Sequence, residues 1–295
     1  MFKVRVPATT ANMGAGFDSF GMAFNIFNEI TVEESDNFKI EPNDDFISTT
    51  KDNLIYKTML HYYKEIDKPI PTIKITQNDK IPLTRGLGSS AACVVAGLVA
   101  ANKLAGNLLN TDELLQIASD VEGHPDNVAP ALLGGLVVAA YEPKKKVNYV
   151  KINPPEGLSF VALIPDFALS TKKARSVLPT RYSRADMVFN ISRASLFIAS
   201  MMSGKWENLN MAIDDKLHQP YRKALVPGMG EVFNKSIEHG ALGVYLSGAG
   251  PTVMAVLLSE KEQAFTKHMS TYLKTLDNKW NMQGLQANYI GAELL

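Results

Sequence analysis

A short loop of small residues, followed at once by a long apolar run, constrains the fold of this chain more than any other feature. The loop reads RGLGSSAA at residues 85–92, and the apolar run continues over residues 93–105. Glycines let backbone N–H groups turn toward a ligand, and a helix N-terminus carries a partial positive charge. The stretch therefore predicts an anion-binding loop at the start of a buried helix. An ordinary tight turn capped by Ser89 or Ser90 is the alternative, and the stretch by itself leaves both open.

Length and composition are those of an ordinary globular protein without a broad charged face. At about 150 residues per domain, the 295 residues predict two domains. Lys+Arg and Asp+Glu number 30 each, so we expect no nucleic-acid-binding surface. The single cysteine, Cys93, excludes an internal disulfide, and we interpret it as a small buried side chain. No apolar run is long enough for a membrane span or a signal core, so we predict a cytoplasmic protein that acts away from membranes.

Hydrophobic periodicity predicts an α+β chain. In the first half we expect strands at residues 2–6 (closed by Pro7), 29–34, 38–40 and 72–76, helices at 53–66 and 110–122, and a hairpin over 134–152. In the second half we expect strands at residues 158–164, 243–246, 252–258 and 285–290, and helices up to about residue 212, at 229–238 and at 261–276. The order of the second half is β-α-β-β-α-β, the ferredoxin-like arrangement. The turn formers NPPEG at residues 153–157 predict the boundary between domains 1–155 and 156–295.

Three further segments invite a ligand role, and each has a plainer alternative. The polar, glycine-rich segment 8–21 either holds a ligand or is a surface connection with an Asx turn. Glu122 opposes the dipole at the end of a predicted helix, which makes a paired or metal-bound role more attractive than usual, while an exposed glutamate at a fraying end is the commoner case. His124 is interpreted as a hydrogen-bonded loop residue, because no second histidine or cysteine has ligand spacing. The loop SGAGPT at residues 247–252 is either a hairpin turn or a second ligand loop.

The glycine loop does not fit two well-known nucleotide motifs. It lacks the Gly-Lys-Ser/Thr ending of a Walker A loop. It fits the pattern Gly-x-Gly-x-x-Ala, but no buried apolar strand precedes it and no acidic strand end follows about twenty positions later. An NAD-dependent oxidoreductase is therefore the weakest of the alternatives.

Five segments in chain order resemble the GHMP small-molecule kinases, and specifically the homoserine kinases among them. The segment PLTRGLGSSAA at residues 82–92 resembles the superfamily's phosphate loop, and SGAGPT at residues 247–252 resembles its third motif. Three segments resemble homoserine kinases: PATTANMGAGFD at 7–18, EGHPDNVAP at 122–130 and DKLHQPYR at 215–222. The Gly-Glu-His start of mevalonate kinases and galactokinases is absent. Ala15 is a departure, because many homoserine kinases carry proline there.

The resemblance implies a fold and an activity. The fold is the two-domain GHMP kinase fold, with an N-terminal ribosomal S5-like domain and a C-terminal ferredoxin-like domain. The activity is transfer of the γ-phosphoryl group of ATP, with Mg²⁺, to the hydroxyl of L-homoserine, a step toward threonine. A homodimer is implied because family members commonly dimerise. The alternatives are a GHMP kinase acting on a different small alcohol and a non-catalytic nucleotide-binding protein of the same fold.

The resemblance also implies roles for particular residues on the ATP side. The expected ATP-binding loop comprises Pro82, Leu83, Thr84, Arg85, Gly86, Leu87, Gly88, Ser89, Ser90, Ala91 and Ala92. Ser90 and Glu122 are the expected ligands of Mg²⁺, which prefers oxygen. Thr171 is expected to contact the transferring phosphate.

On the acceptor side, the resemblance assigns Arg175 and Arg222 to the substrate carboxylate, for which a guanidinium is suited. Asp18 is expected to bind the ammonium group, reach the hydroxyl and accept its proton. Direct attack without a protein base is the alternative, because phosphoryl transfer depends mostly on positioning. The remaining substrate contacts are expected from Asn12, Asn127 and the backbone of Gly248, and Asn127 joins Asp18 and Thr171 as an expected catalytic residue.

Overall fold

The computed structural model describes residues 1–153 and 156–295. Its strands are β1 (Phe2–Ala11), β2 (Phe20–Glu34), β3 (Lys39–Pro42), β4 (Ile73–Asn78), β5 (Leu136–Ala140), β6 (Asn148–Ile152), β7 (Leu158–Pro165), β8 (Gly243–Leu246), β9 (Val253–Leu258), β10 (Trp280–Leu285) and β11 (Glu293–Leu294). Its α-helices are α1 (Leu54–Glu65), α2 (Ser89–Leu104), α3 (Thr111–Glu122), α4 (Val128–Leu133), α5 (Thr171–Ser176), α6 (Arg184–Ser203), α7 (Leu209–Ala212), α8 (Gln219–Arg222), α9 (Met229–Glu238) and α10 (Glu262–Leu273). The predicted α+β class is confirmed. None of the helices in these described ranges combines the length and hydropathy needed to cross a bilayer.

The first half of the chain is built on a sheet with the strand order β11-β1-β2-β4-β3. β5 pairs with the beginning of β2 and carries β6 on its other side. Among the described strands of this sheet, all pairs are antiparallel except β3 with β4. The buried helix that was expected after the glycine loop is α2, which packs against α1, α3, α4 and the sheet.

Close packing of α2 against α1 depends on small residues. A Cβ at Gly97 would lie 2.7 Å from the carbonyl oxygen of Ile55, so only glycine lets the two helices approach this closely. The helix caps follow the sequence. The Asn53 side chain accepts from the Ile55 amide at the start of α1, and Asn110 forms a capping box with Glu113 at the start of α3.

The second half forms a separate antiparallel sheet with the order β10-β7-β9-β8. Numbered within this half, the strand order is 4-1-3-2 with helices in the two crossovers, so the predicted ferredoxin-like arrangement is confirmed. α9 and α10 pack on one face around a core that includes Val161, Val232, Phe265 and Met269.

Three predicted strand boundaries are wrong. β2 begins at Phe20 and not at residue 29. β1 does not end at Pro7 but continues to Ala11, because a shift in register between Pro7 and Ala8 places the residue without an N–H at an irregularity of the ladder. The last strand of the second sheet ends at Leu285 rather than beginning there.

The chain beyond Leu285 returns to the first sheet. Ala287 forms a bridge with Phe24, and β11 then pairs with β1, with Val4 opposite Leu294 and Arg5 opposite Glu293. The sequence analysis did not predict this return. The division into domains 1–155 and 156–295 stays a prediction, since Pro154 and Pro155, at the predicted boundary, lie outside the described residues.

Candidate active site

A cavity of about 410 Å³ is lined by residues of both halves of the chain. Most of the residues singled out in the sequence line it, namely Asn12, Asp18, Leu83, Thr84, Arg85, Gly86, Gly88, Ser89, Ser90, Ala91, Glu122, Asn127, Thr171, Arg175, Arg222 and Gly248. Three residues of the expected ATP loop do not line it. Leu87 and Ala92 are fully buried in the core, and Pro82 lies just before the lining begins.

The first glycine loop turns its backbone with left-handed residues. Gly86 and Gly88 have φ of 77° and 74°. Gly88 is the N-cap of α2, and no side chain in the described part of the chain caps the helix, so the capped-turn alternative is wrong. The hydroxyl of Ser89 is buried and has no hydrogen-bond partner among the described residues. A loop with a free buried hydroxyl at an uncapped helix N-terminus fits an anionic ligand.

The second glycine loop, between β8 and β9, packs directly on the first. The Ser247 hydroxyl donates to the carbonyl of Gly86 at 2.6 Å, and the Thr252 amide donates to the carbonyl of Arg85 at 3.3 Å. A Cβ at Gly86 would lie 2.4 Å from the Ser247 carbonyl oxygen and 2.8 Å from that of Gly250. The second loop is thus both a hairpin connection, as its plainer interpretation predicts, and a wall of the cavity.

Ser90 and Glu122 meet at the edge of this cavity. The Ser90 hydroxyl donates to Glu122 Oε1 at 2.6 Å. Glu122 is the last residue of α3, which ends at Gly123 in the left-handed conformation. A hydroxyl and a carboxylate are the oxygen ligands that Mg²⁺ prefers, so the donor set fits that ion.

The segment after α3 contributes a partly buried histidine–aspartate hydrogen bond that the sequence analysis did not assign to the site. Nδ1 of His124 lies 2.5 Å from Oδ1 of Asp126, which confirms His124 as a hydrogen-bonded loop residue. Burial by itself would lower the pKa of His124, but the hydrogen bond and charge of Asp126, with a contribution from Asp18, raise it above its usual value. Ligand atoms of Asp18, His124 and Asp126 all lie within 4.8 Å of one another. The position of His124 and Asp126 next to Glu122, in a Gly-His-Pro-Asp-Asn turn, is the signal that could have identified these two residues.

The early polar segment 8–21 contributes to the cavity wall and is not a plain surface connection. Asn12 is buried, and its Nδ2 donates to the carbonyl of Gly248 at 2.8 Å. Its Oδ1 accepts from the Asp18 amide at 3.0 Å. Asn12 and Asp18 both have left-handed backbone, with φ of 66° and 54°, which turns the loop back on itself.

Asp18 and Arg175 bind each other. The guanidinium donates to both carboxylate oxygens, Nη2 to Oδ1 at 2.7 Å and Nη1 to Oδ2 at 3.1 Å. The two side chains remain 34% and 37% exposed, so a ligand in the cavity can reach them.

Arg222 is held differently. It is 1% exposed, and its Nε donates to the carbonyl of Ala174 at 3.2 Å. Its Nη1 donates to the carbonyl of Gly248 at 2.9 Å and to Nδ1 of His218 at 3.1 Å. Burial, with the nearby charge of Arg175, lowers the pKa of Arg222 to about 10. The group still carries its charge at neutral pH.

The motif at residues 215–222 explains how Arg222 is fixed. The Asp215 carboxylate accepts from the backbone amides of Leu217, His218 and Gln219, which shapes the turn into α8. Nε2 of His218 lies 2.9 Å from the carbonyl of Gly14, so Nδ1 is free to accept from Arg222.

Phe17 is a further site residue that the sequence analysis missed. Its ring stacks on His218 with centroids 5.2 Å apart, and the guanidinium carbons of Arg175 and Arg222 lie 5.5 and 5.4 Å from its centroid. One aromatic ring thus contacts both arginines. Its place next to Asp18 in the glycine-rich loop is the signal in the sequence that could have identified Phe17 as a site residue.

The remaining expected catalytic residues lie on the wall of the cavity. Oδ1 of Asn127 accepts from the Thr9 hydroxyl at 2.8 Å, and its Nδ2 donates to Asp126 Oδ1 at 3.2 Å. Thr171 is exposed at the first position of α5, after the capping residue Ser170.

One part of the cavity wall, called the second lobe below, contains residues that the sequence analysis did not assign to the site. Its lining comes from the loop before α1, the start of α1, the end of β4 and the first turn of α2, and includes Phe46, Asn53, Gln77, Asp79 and Cys93. Nε2 of Gln77 donates to Asp79 at 2.9 Å, and Nδ2 of Asn53 donates to Gln77 at 3.0 Å. Cys93 is buried as predicted, and burial raises the pKa of its thiol, so it is a packing residue.

Comparison with known proteins agrees with this arrangement. Residues 53–135 match the GHMP kinases N terminal domain, and residues 198–272 match the GHMP kinases C terminal model. The chain is 48% identical to the homoserine kinase of Clostridium botulinum (strain Eklund 17B / Type B), covering 99% of this chain and 98% of the relative. It is 45% identical to that of Clostridium beijerinckii over 100% and 99% of the two chains.

Solved structures give the same fold. The crystal structure of homoserine kinase from Cytophaga hutchinsonii superposes with a TM-score of 0.88 at 29% identity, over 100% of this chain and 97% of that one. A mevalonate kinase structure, 15% identical, superposes with a TM-score of 0.71 over 97% and 99%, and shares the fold. The expected two-domain fold is confirmed. The chain belongs to the GHMP kinase family, among its homoserine kinases.

Proposed function

We propose that this protein transfers the γ-phosphoryl group of ATP to the side-chain hydroxyl of L-homoserine, giving O-phospho-L-homoserine and ADP. The observation that carries the proposal is that an anion-binding glycine loop and an Asp18–Arg175–Arg222 group line one cavity. The first suits a triphosphate, and the second suits a small zwitterion. Relatives named homoserine kinase are 42–48% identical to the chain over nearly its full length.

On the nucleotide side, residues 84–91 hold the triphosphate with backbone amides, the N-terminus of α2 and the free hydroxyl of Ser89. The second lobe takes the nucleoside, because it continues the cavity beside the phosphate loop and includes apolar side chains such as Phe46 and Leu54. Ser90 and Glu122 hold Mg²⁺, which when bound neutralises charge on the phosphates.

On the acceptor side, the Nη2 group of Arg222 binds the carboxylate of homoserine together with Arg175. Asp18 binds the ammonium group and lies within reach of the hydroxyl. Asn12 and Gly248 fix the loop that carries Asp18, and Asn127 and Thr171 contact the phosphoryl group as it passes. These roles agree with the charge of each group and with its place on the cavity wall.

In the reaction, the homoserine hydroxyl oxygen forms a bond to Pγ while the bond from Pγ to the β,γ-bridging oxygen breaks. The hydroxyl proton passes to Asp18, or leaves with the phosphorylated product in a mechanism without a protein base. Positioning supplies most of the acceleration in either route, since phosphoryl transfer needs little covalent help.

Two other functions predict different behaviour. A GHMP kinase for an alcohol without a carboxylate would have no use for two arginines around one aromatic ring. A non-catalytic nucleotide-binding protein would have no need of charged acceptor-side groups such as Asp18, Arg175 and Arg222 in the same cavity.

The test is ADP release from Mg-ATP with L-homoserine, run beside L-serine, mevalonate and galactose. We expect turnover with L-homoserine at a far higher kcat/KM than with the other three. Turnover with another alcohol and none with homoserine would refute the substrate, and no turnover with any acceptor would favour the non-catalytic alternative.

A homodimer and a cytoplasmic location remain proposals that rest on the family resemblance. Sedimentation equilibrium of the purified chain tests the dimer directly, because a monomer mass at micromolar concentration would contradict it.

A further inference from the structure

The long helix α6 is apolar on both of its sides. On the side that packs against the rest of the chain, Phe197 and Met201 are buried. On the opposite side, Val188, Ile191 and Met202 are 60%, 62% and 68% exposed. A surface helix normally carries polar side chains on its solvent side, and a helix that is apolar all round is normally buried. The composition of α6 therefore indicates that a partner covers its exposed side.

The exposed side of α6 is also uncharged. Between residues 185 and 203, all of which the structure describes, the exposed residues are only alanine, methionine, valine, isoleucine and serine. The charged side chains of this stretch make contacts of their own. The guanidinium carbon of Arg193 lies 3.6 Å from the centroid of the Phe189 ring, and Asp186 lies 3.7 Å from Nζ of Lys216. An uncharged surface is suited to a neutral partner and not to nucleic acid or a strongly charged peptide.

The spacing of this side is that of a helix that packs along another helix. Val188, Ile191, Ser195, Ile198 and Met202 alternate intervals of three and four residues, which is the 3.5-residue period of a coiled coil. This row, called the α6 seam below, is nearly symmetric about Ser195. Bulky apolar side chains lie seven and four residues before this serine, and three and seven residues after it. The seam therefore matches its own copy in antiparallel orientation, with the small Ser195 where the two helices cross.

We propose that α6 pairs antiparallel with α6 of a second copy of this chain, across a two-fold axis near Ser195, and that this pairing forms the homodimer. Val188 of each copy then lies beside Met202 of the other. The inference goes beyond the proposed function, because it does not depend on the reaction and assigns the dimer interface to one face of the molecule.

Size and symmetry favour a second copy as the occupant of this face. A helix of 20 residues is about 30 Å long, and its exposed half, including a layer of water, is about 20 Å around, so it offers roughly 600 Å². Two copies together bury roughly 1,200 Å², which is the lower end of the range for specific interfaces. A two-fold axis brings the same surface of both subunits together, so one uncharged seam meets another. The whole chain has 30 basic and 30 acidic residues, so no net charge opposes its association.

Insertion of a charge into the seam tests the interface. Ile191→Lys changes a side chain that is 62% exposed, so it disturbs association and not the fold of the single chain. Val150→Lys is the matched control, because Val150 is 61% exposed on β6, outside the seam. Sedimentation equilibrium of the full chain measures the dissociation constant of the dimer for each variant. Far-ultraviolet circular dichroism checks that the helix content is unchanged.

We expect the wild type to sediment as a dimer at micromolar concentration. Ile191→Lys should raise the dissociation constant by roughly 100-fold or more, because two unpaired charges enter the interface, and Ala199→Glu should do the same from the other side of the axis. Val150→Lys should stay within about threefold of the wild type, as surface substitutions elsewhere do. An equimolar mixture of Ile191→Lys and Ala199→Glu should dimerise more tightly than either variant alone, because positions 191 and 199 of the two copies face each other in the antiparallel pair.

A monomer mass for the wild type at every concentration tested refutes the proposal. A dimer that Ile191→Lys and Ala199→Glu leave intact also refutes it, because the interface then lies on another face. Equal weakening by Ile191→Lys and Val150→Lys, or a mixture no tighter than the separate variants, refutes the antiparallel pairing of α6. Turnover of L-homoserine by the wild type tests the proposed function on the same preparation, so either proposal can fail without the other.

Discussion

A methyl group at Gly86 should disable the site while leaving the fold in place. Gly86 combines a left-handed backbone, with φ of 77°, and a Cβ position 2.4 Å from the carbonyl oxygen of Ser247. The obstructing atoms belong to the backbone of the second glycine loop, so no side-chain rotation relieves the contact. In Gly86→Ala the two loops must move apart.

The size of the effect follows from these distances. Increasing the Cβ–oxygen separation from 2.4 Å to about 3.0 Å requires a shift of about 0.6 Å between the loops. Misplacement on the scale of 1 Å in a positioned site costs about a hundredfold, so we expect kcat/KM for ATP to fall by roughly 10- to 100-fold. The left-handed backbone adds about 1–2 kcal/mol of strain to the folded state, which lowers Tm by a few degrees.

Gly106→Ala is the matched control. Gly106 has φ of 89° just after the end of α2, and a Cβ there would meet no heavy atom of the described residues within 4 Å. It carries the backbone strain without the contact, so we expect a similar fall in Tm and kinetics within twofold of the wild type. Steady-state ADP release and differential scanning fluorimetry measure the two quantities on each variant. Equal kcat/KM in the two variants would refute the claim that contact between the loops positions the nucleotide.

Three other substitutions test single parts of the site. Arg222→Gln should raise the KM for homoserine by roughly 10- to 100-fold, because a charge-assisted hydrogen bond of about 1.5–3 kcal/mol is lost. The KM for ATP should stay within twofold of the wild type. An equal rise in both KM values would contradict the role of Arg222. Glu122→Gln should lower kcat and raise the Mg²⁺ concentration needed for half-maximal rate, and an unchanged Mg²⁺ titration would remove Glu122 from the metal site. Burial, reinforced by the charge of Arg222, holds the pKa of His218 below its usual 6.5. The unfolded chain therefore binds the proton more readily than the folded chain, and the free energy of unfolding falls as the pH drops below 6.5. His218→Gln should therefore flatten the decline of Tm between pH 6.5 and about pH 5, and parallel curves for the two proteins would exclude this histidine as the cause.

The sequence predicted what local chemistry determines. Asn53 and the pair Asn110–Glu113 cap helices where their side chains reach nearby amides. The glycine loop precedes a buried helix because small apolar residues allow close packing on every side. The βαββαβ order of the second half follows from strand and helix periods alone. In each case the deciding contacts lie within a few residues of one another.

Contacts between distant segments could not be predicted in the same way. Nothing in the pattern of residues 1–11 indicates that β1 will pair with the last strand of the chain, where Arg5 meets Glu293 at 2.5 Å. The second lobe joins Gln77 from β4 to Cys93 from α2, residues whose proximity depends on how α2 packs against the sheet. Phe17 acquires its role only when α5 and α8 bring two arginines onto its ring.

Gly248 connects the nucleotide and acceptor sides of the cavity. Its carbonyl accepts from Asn12 at 2.8 Å and from Arg222 at 2.9 Å, and its amide donates to the carbonyl of Ala11 at 3.1 Å. The preceding residue, Ser247, rests on Gly86 of the phosphate-binding loop. A displacement of the second glycine loop therefore also affects the homoserine side, because the carbonyl of Gly248 in this loop accepts hydrogen bonds from both Asn12 and Arg222. Gly86→Ala, which changes no side chain expected to bind homoserine, should raise the KM for homoserine as well as for ATP, whereas Arg222→Gln should affect homoserine alone.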